Sequence, residues 1–189
     1  MTTLPTGKLP PELLRTMLAG IEQDESVIVG PGIGRDAAAV RVGEQVLVMK
    51  TDPITFATDN IGWYLVNVNA NDIACMGAEP RWLLITALLP ENATTPELVE
   101  SIFADIRRAS QQVGCTLVGG HTEISEGLDR PILVGNMTGM AREEHLIDPT
   151  TARPGDAVLL IGGIAVEGTA LLANEFRDQL APLVDAATI

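Results

Sequence analysis

The stretch Asn67-Val68-Asn69-Ala70-Asn71-Asp72-Ile73-Ala74-Cys75-Met76-Gly77 decides how the rest of the chain is read. It forms the second half of a helix predicted over Ile61–Met76 and stopped by Gly77. Apolar residues lie on almost every side of that helix, so it is expected to be mostly buried. Asn69 and Asp72, three apart, share one helical face; Asn67 and Asn71, four apart, share another. Polar groups inside such a helix must find partners, or each costs about 1–3 kcal/mol. A ligand, a metal or an internal polar network could supply them.

Upstream, Val48-Met49-Lys50-Thr51-Asp52 reads as a strand. Alternation puts Lys50 and Asp52 on one face. They form either a simple surface ion pair or a metal-holding carboxylate beside a phosphate-binding ammonium. The chain has only two lysines, Lys8 and Lys50. Before this strand, Gly30-Pro31-Gly32-Ile33-Gly34-Arg35-Asp36 must begin as a loop, because three glycines and a proline disfavour regular structure. Its amides could approach phosphate oxygens. It lacks the Lys-Ser/Thr pair of a Walker A loop, and taken alone such a stretch is more often an ordinary turn. Downstream, Val118-Gly119-Gly120-His121-Thr122-Glu123 reads as the end of a short strand, Thr116–Val118, followed by a loop that could bind phosphate or metal.

The remaining elements follow from period and punctuation. Pro10–Ala19 is a short helix with Leu13, Leu14, Met17 and Leu18 on its apolar side, and Ser26–Val29 is a strand. Ala37–Val42 and Gln45–Thr51 form a hairpin turning at Gly43-Glu44. Arg81–Leu89 and Ile132–Met140 are strands. A helix opens at the cap Thr95 with Pro96 at its first position and closes at Gly114. Hairpins mixed with crossover helices give an α+β (mixed α/β) fold. Arg153-Pro154-Gly155-Asp156 reads as a junction between a domain over 1–152 and the beginning of a second over 153–189. In the second, Ala157–Ile161 is expected to be a strand and Glu167–Phe176 a helix, too little to close a core. The tail from Asp178 to Ile189 shows no compelling pattern.

Composition narrows the function. The 189 residues include 25 acidic and 12 basic ones, for a net charge of −13. Such a chain is a poor match for nucleic acid, whose affinity rests on cationic neutralisation of phosphates. No apolar run approaches the roughly 20 residues that span a bilayer. Met1–Gly7 lacks the pattern of a signal peptide, so a cytoplasmic location is expected. Cys75 and Cys115 have no metal-ligand spacing and are expected to be buried core residues.

Four segments taken in order carry a family likeness: Gly34-Arg35-Asp36-Ala37-Ala38, Lys50-Thr51-Asp52, Asn71-Asp72-Ile73-Ala74-Cys75-Met76-Gly77-Ala78 and Gly119-Gly120-His121-Thr122-Glu123. Together they resemble the aminoimidazole ribonucleotide (AIR) synthetase superfamily, which includes thiamine-monophosphate kinase, selenophosphate synthetase and the hydrogenase maturation protein HypE. Gly7–Pro10, Thr51–Thr55 and Glu167–Ala170 fit the HypE-like, AIR synthetase-related branch. The resemblance runs from about Gly7 to Ala173.

It implies an N-terminal ATP-binding domain that forms a homodimer, its sheet joining the partner's into a barrel, with ATP and Mg²⁺ near that interface. By motif, Asp36, Asp52, Asp72 and Glu123 would be metal ligands. Gly34, Lys50, Asn69, Asn71, Gly119, Gly120, His121 and Thr122 would bind the nucleotide, with Asn69 and Asn71 touching it or supporting Asp72. The implied reaction phosphorylates or activates an oxygen of a small substrate; no general base is identified. The alternative is an ATP-binding, dimerising module without turnover, because the family's second domain is nearly all missing after Phe176.

This chain also departs from the pattern. Arg35 stands where many relatives have Asp, and His121 where thiamine-monophosphate kinase has Asp. Selenophosphate synthetase shares the Gly-Gly-His sequence, but its reactive N-terminal Cys has no counterpart. HypE ends in a modified cysteine whereas this chain ends in Thr188-Ile189, so carbamoyl dehydration is not expected.

Overall fold

The computed structural model describes residues 3–57 and 59–184. Thr188 and Ile189 therefore lie outside the described residues. Helix α1 (Pro11–Leu18) is followed by strands β1 (Val27–Val29), β2 (Ala38–Val42) and β3 (Gln45–Ile54). Then come α2 (Ile61–Cys75), β4 (Glu79–Pro90), α3 (Pro96–Val113), β5 (Thr116–Ser125) and β6 (Ile132–Ala141). Two short helices, α4 (Val166–Glu175) and α5 (Arg177–Leu180), end the described chain.

The strands make one six-stranded sheet in the order β1-β2-β3-β6-β4-β5. Only β4 and β5 pair in parallel, joined by the crossover helix α3; the other pairings are antiparallel. This is the expected α+β fold. The β2–β3 hairpin turns where its sequence indicates, Val42 pairing with Gln45.

One face of the sheet carries the core. Val46 and Val48 of β3, Leu83, Ile85, Ala87 and Leu89 of β4, and Leu133 and Met137 of β6 point to it. They meet Leu65, Val66, Ile73 and Met76 of the α2 segment and Ile102, Ile106 and Ala109 of α3. Burying each larger side chain contributes about 1.5–3 kcal/mol relative to exposure. The two helices touch closely at Gly62, where a Cβ would stand 2.6 Å from the Ile102 carbonyl oxygen. Helix α3 has the cap read from sequence: the Leu98 amide donates to Thr95 Oγ1, and Gly114 is left-handed at φ 83°.

Among the described residues, the opposite sheet face has no helix on it. Trp82 and Leu84 are exposed there, beside half-buried Leu47, Met49, Val134 and Met140. The apolar side of α1 is likewise uncovered at Leu13 and Met17.

Two local readings fail. Ala157–Ile161 forms no strand; Val158 is 98% exposed, and Leu159, Leu160 and Ile161 are also exposed. A strand needs a hydrogen-bonded neighbour, and this segment has none among the described residues. Its helical companion does form, as α4. The tail read as patternless contains α5.

Candidate functional site

The site grows from the second half of β3. Val46 and Val48 anchor the strand in the core, and the same alternation carries Lys50 and Asp52 onto the helix-bearing face. Helix α2 crosses that face and brings Asp72, in its last turn, to the same point. Lys50 Nζ lies 2.7 Å from Asp72 Oδ2 and 3.3 Å from Asp52 Oδ2. The three side chains are partly enclosed, with 17% of Lys50, 21% of Asp72 and 34% of Asp52 exposed.

An acid in the last turn of a helix faces the negative end of the helix dipole. Lys50 compensates it, since that turn has no basic residue of its own. Burial pulls the Lys50 pKa down. The hydrogen bond and charge of Asp72, followed by those of Asp52, outweigh it and hold the ammonium above the ordinary lysine range.

Asn69 lies beneath this group and is fully buried. Its Nδ2 donates to the Leu65 carbonyl oxygen at 2.9 Å and, more weakly, to that of Asp52 at 3.4 Å. It packs against Gly135 of β6, where a Cβ would run into the amide; Gly135 is the cross-strand partner of Asp52. Here Asn69 links α2 to the backbone of Asp52, which fits the supporting role of its two expected ones. Asn71 is exposed, and Asn67 Nδ2 donates back to the Trp63 carbonyl oxygen.

The glycine-rich loop lies beside the acids. A depression of about 210 Å³ is lined by Gly30, Gly32, Arg35 and Asp36 together with Met49 and Lys50. Arg35 Nη1 donates to the Gly30 carbonyl oxygen at 3.0 Å, bracing the loop. Gly34 takes φ 77° at an exposed turn. On the other side of Asp52, a larger and mostly apolar cleft of about 590 Å³ is bounded by Lys8, Phe56, Tyr64 and Leu171. Sequence reasoning assigned no role to these four. The scarcity of lysine was the one signal pointing to Lys8.

The fourth expected segment is placed differently. Gly119–Glu123 is not a loop but the middle of β5, paired in parallel with β4. The glycines belong to a register shift at Leu83/Leu84. Gly120 has φ +149°, and a Cβ there would collide with the Ile85 carbonyl oxygen. The pair thus admits a close backbone approach inside a strand, a use of glycine that mimics a loop signal.

Thr122 is exposed on this edge strand. His121 and Glu123 share the register of Thr86 and Leu88, on the face away from α2 and α3. His121 Nε2 lies 2.9 Å from Glu123 Oε2, and Ser125 Oγ donates to Glu123 Oε1 at 2.8 Å. These bonds, that of His121 foremost, hold the Glu123 carboxyl below its usual value.

The four expected metal ligands are therefore not gathered within one chain. Asp52 and Asp72 converge, and Asp36 borders the adjoining depression. Glu123 lies on the opposite face, separated from β3 by β6 and β4. Among the described residues no group of three or more His, Cys, Asp or Glu side chains is placed to hold a metal. Two carboxylates still fit Mg²⁺, which is commonly held by one or two acids together with substrate phosphates and water.

A depression of about 730 Å³ lies elsewhere, between the start of α2, α3 and the C-terminal helices. It is larger but contains none of the four segments. Of the two cysteines, Cys115 is buried as expected, whereas Cys75 is exposed at the end of α2. Among the described residues, no helix is long and apolar enough to cross a membrane.

Residues 34–141 match the family described as AIR synthase related protein, N-terminal domain. The chain belongs to this family. It is 31% identical over 187 residues to a selenide, water dikinase of Trichlorobacter lovleyi, covering 96% of this chain and 52% of the relative. A chain of the crystal structure of the HypE–HypF complex matches with a TM-score of 0.66 and 25% identity, over 78% of this chain and 49% of that one. A crystal structure of HypE in complex with ATP shares the fold, with a TM-score of 0.52 and 24% identity over 75% of this chain and 39% of the other. The chain spans about half the length of the curated relatives it matches.

Proposed function

We propose that this chain binds ATP with Mg²⁺ as part of an enzyme that phosphorylates or activates an oxygen of a small substrate. The observation that carries the reading is the convergence of Lys50, Asp52 and Asp72 beside the Gly30–Asp36 loop. Asp52 and Asp72 would hold Mg²⁺, and the loop amides with Lys50 would receive phosphate oxygens. Bound Mg²⁺ would neutralise phosphate charge during transfer, while the protein's own part would be positioning and electrostatic stabilisation. The kinase name of the relative and the ATP complex of HypE agree with this class of chemistry. Isothermal calorimetry tests it: ATP with Mg²⁺ should bind, and EDTA should abolish binding. Equal affinity with and without Mg²⁺ would remove the carboxylates from the site.

The same reading includes a homodimer. Its basis is the helix-free sheet face with exposed Trp82 and Leu84, and β5 as an exposed edge carrying Val118 and Ile124. Pairing through this side would cover the patch. It would also give His121 and Glu123, remote from Asp52 in their own chain, a route to a partner's site. Light scattering at micromolar concentration should report twice the chain mass; a strict monomer would remove this role for His121 and Glu123.

We assign 1–152 to nucleotide binding and dimerisation, and 153–189 to the beginning of a second domain. A second reading, a nucleotide-binding module without turnover, is favoured by one observation: the apolar run Val158–Ile161 is largely exposed. Enclosure of a substrate away from water needs such segments to be packed. Turnover by this chain alone at saturating ATP would decide against the module.

A further inference from the structure

We propose that Lys50 is a built-in counter-cation. Its ammonium occupies the position between Asp52 and Asp72 in the nucleotide-free protein, and yields it to the divalent metal when the metal–nucleotide complex arrives. This rests on the nucleotide site proposed above, and it assigns Lys50 two successive places.

The first place is the gap between the two acids. Lys50 Nζ contacts both carboxylates, at 2.7 and 3.3 Å. Neither acid has another ion-pair partner among the described residues. Without the ammonium, two carboxylates would face one point with like charge, and Asp72 would also meet the negative end of α2. A single tethered cation resolves both problems.

The second place would be the adjoining depression. Lys50 lines the depression formed by Gly30, Gly32, Arg35 and Asp36. Its four-carbon stem and three donors suit a swing from carboxylate to phosphate without movement of the strand. β3 is fixed by its pairing along the whole length of β6, and α2 by Asn69. The side chain is therefore the part free to move.

Two consequences follow. A divalent cation without nucleotide must compete with an ammonium attached to the same strand, so the resting protein resists free metal. The metal–nucleotide complex meets no such competition, because its phosphates give the displaced ammonium a new partner. Lys50 thus makes metal and nucleotide bind together.

The test uses Mn²⁺ alone as the probe, followed by electron paramagnetic resonance, on the chain without nucleotide. Lys50→Met should bind Mn²⁺ at least about tenfold more tightly than the unchanged protein, because one repelling charge within 4 Å is removed. Adding Asp72→Asn should abolish the gain. Equal or weaker Mn²⁺ binding by a folded Lys50→Met overturns the proposal.

If that variant does not fold, the unchanged protein still decides. With only two lysines, ¹³Cε-lysine labelling gives two NMR signals, assigned with Lys8→Arg. The Lys50 signal should stay in place with millimolar Mg²⁺ alone and move with Mg²⁺–ATP. A Lys50 signal unmoved while calorimetry shows Mg²⁺–ATP bound also overturns it. Absence of Mg²⁺–ATP binding refutes the proposed function instead, and leaves the counter-cation role to the Mn²⁺ comparison.

Discussion

Replacing Asp72 by Asn keeps the shape of the side chain and removes its charge. Lys50 then loses its 2.7 Å partner and keeps only Asp52 at 3.3 Å. At an effective dielectric constant of 20, the raw Coulomb attraction at these distances is roughly 6 and 5 kcal/mol. Most of it is offset by desolvation, so the net cost falls well below either figure. Exposed pairs contribute about 0–1 kcal/mol, and breaking a fully buried pair costs about 3–5. With about a fifth of Lys50 and Asp72 exposed, this pair belongs between those limits, at roughly 1–3 kcal/mol. A chain of this size loses about 2–4 °C of Tm per kcal/mol, so the shift should be some 2–12 °C. Asp52→Asn should cost less, since that acid is farther from the ammonium and more exposed. Thermal unfolding followed by circular dichroism, with calorimetric ΔH, measures both. An unchanged or raised Tm for Asp72→Asn, or a larger loss for Asp52→Asn, would refute the assignment of Lys50 to Asp72 as its main partner.

Other outcomes follow from the same structure. Gly120→Ala should destabilise the β4–β5 pairing by about 1–3 kcal/mol, because the new methyl meets the Ile85 carbonyl; urea unfolding measures it, and a neutral result contradicts the close approach. Gly135→Ala should push on Asn69 and cost a similar amount, part of which Asn69→Ala restores; strict additivity in that double-mutant cycle would remove the contact. The pKa of Lys50 is raised by folding, so its stabilising effect is complete below the ordinary lysine range and is lost as pH rises through the raised value. The stability gap between the unchanged protein and Asp72→Asn should therefore be flat around neutrality and shrink at strongly alkaline pH, and a gap that shrinks near pH 7 would assign it to another group. Limited proteolysis should cut first within 153–165, where the apolar residues are uncovered; first cuts inside β4 or β6 would contradict that ordering.

The fold was legible where one period or one cap dominated. The Gly43-Glu44 turn, the Thr95 cap with Gly114, and the apolar run ending at Gly77 all named their elements correctly. The alternation of Val48, Lys50 and Asp52 also placed two candidate site residues on one face. Legibility failed where a residue type serves two purposes. Gly119-Gly120 signals a loop in sequence, yet here glycine lets one strand pass close to its neighbour. Val158–Ile161 has the composition of a strand, but composition cannot supply a partner. Cys75 lies in an apolar helix, and only the packing of α2 shows that its last turn leaves one side open.

The candidate site was legible by motif more than by geometry. Asp52 and Asp72 are 20 positions apart, and no local pattern tells that Lys50 joins them. Conversely, the motif joined Glu123 to the same metal set, although the register of β5 turns it to the other face. A list of acids carries no face, and the strand order was needed to separate them.

The most direct test is where a metal–nucleotide complex sits. A crystal of this chain grown with Mn²⁺–ATP would show the metal by its anomalous signal. The account predicts one peak bounded by Asp52 and Asp72, with phosphates directed to the Gly30–Asp36 loop and Lys50 turned towards them. A metal held elsewhere, with Lys50 still between the two acids and the loop empty, would contradict it.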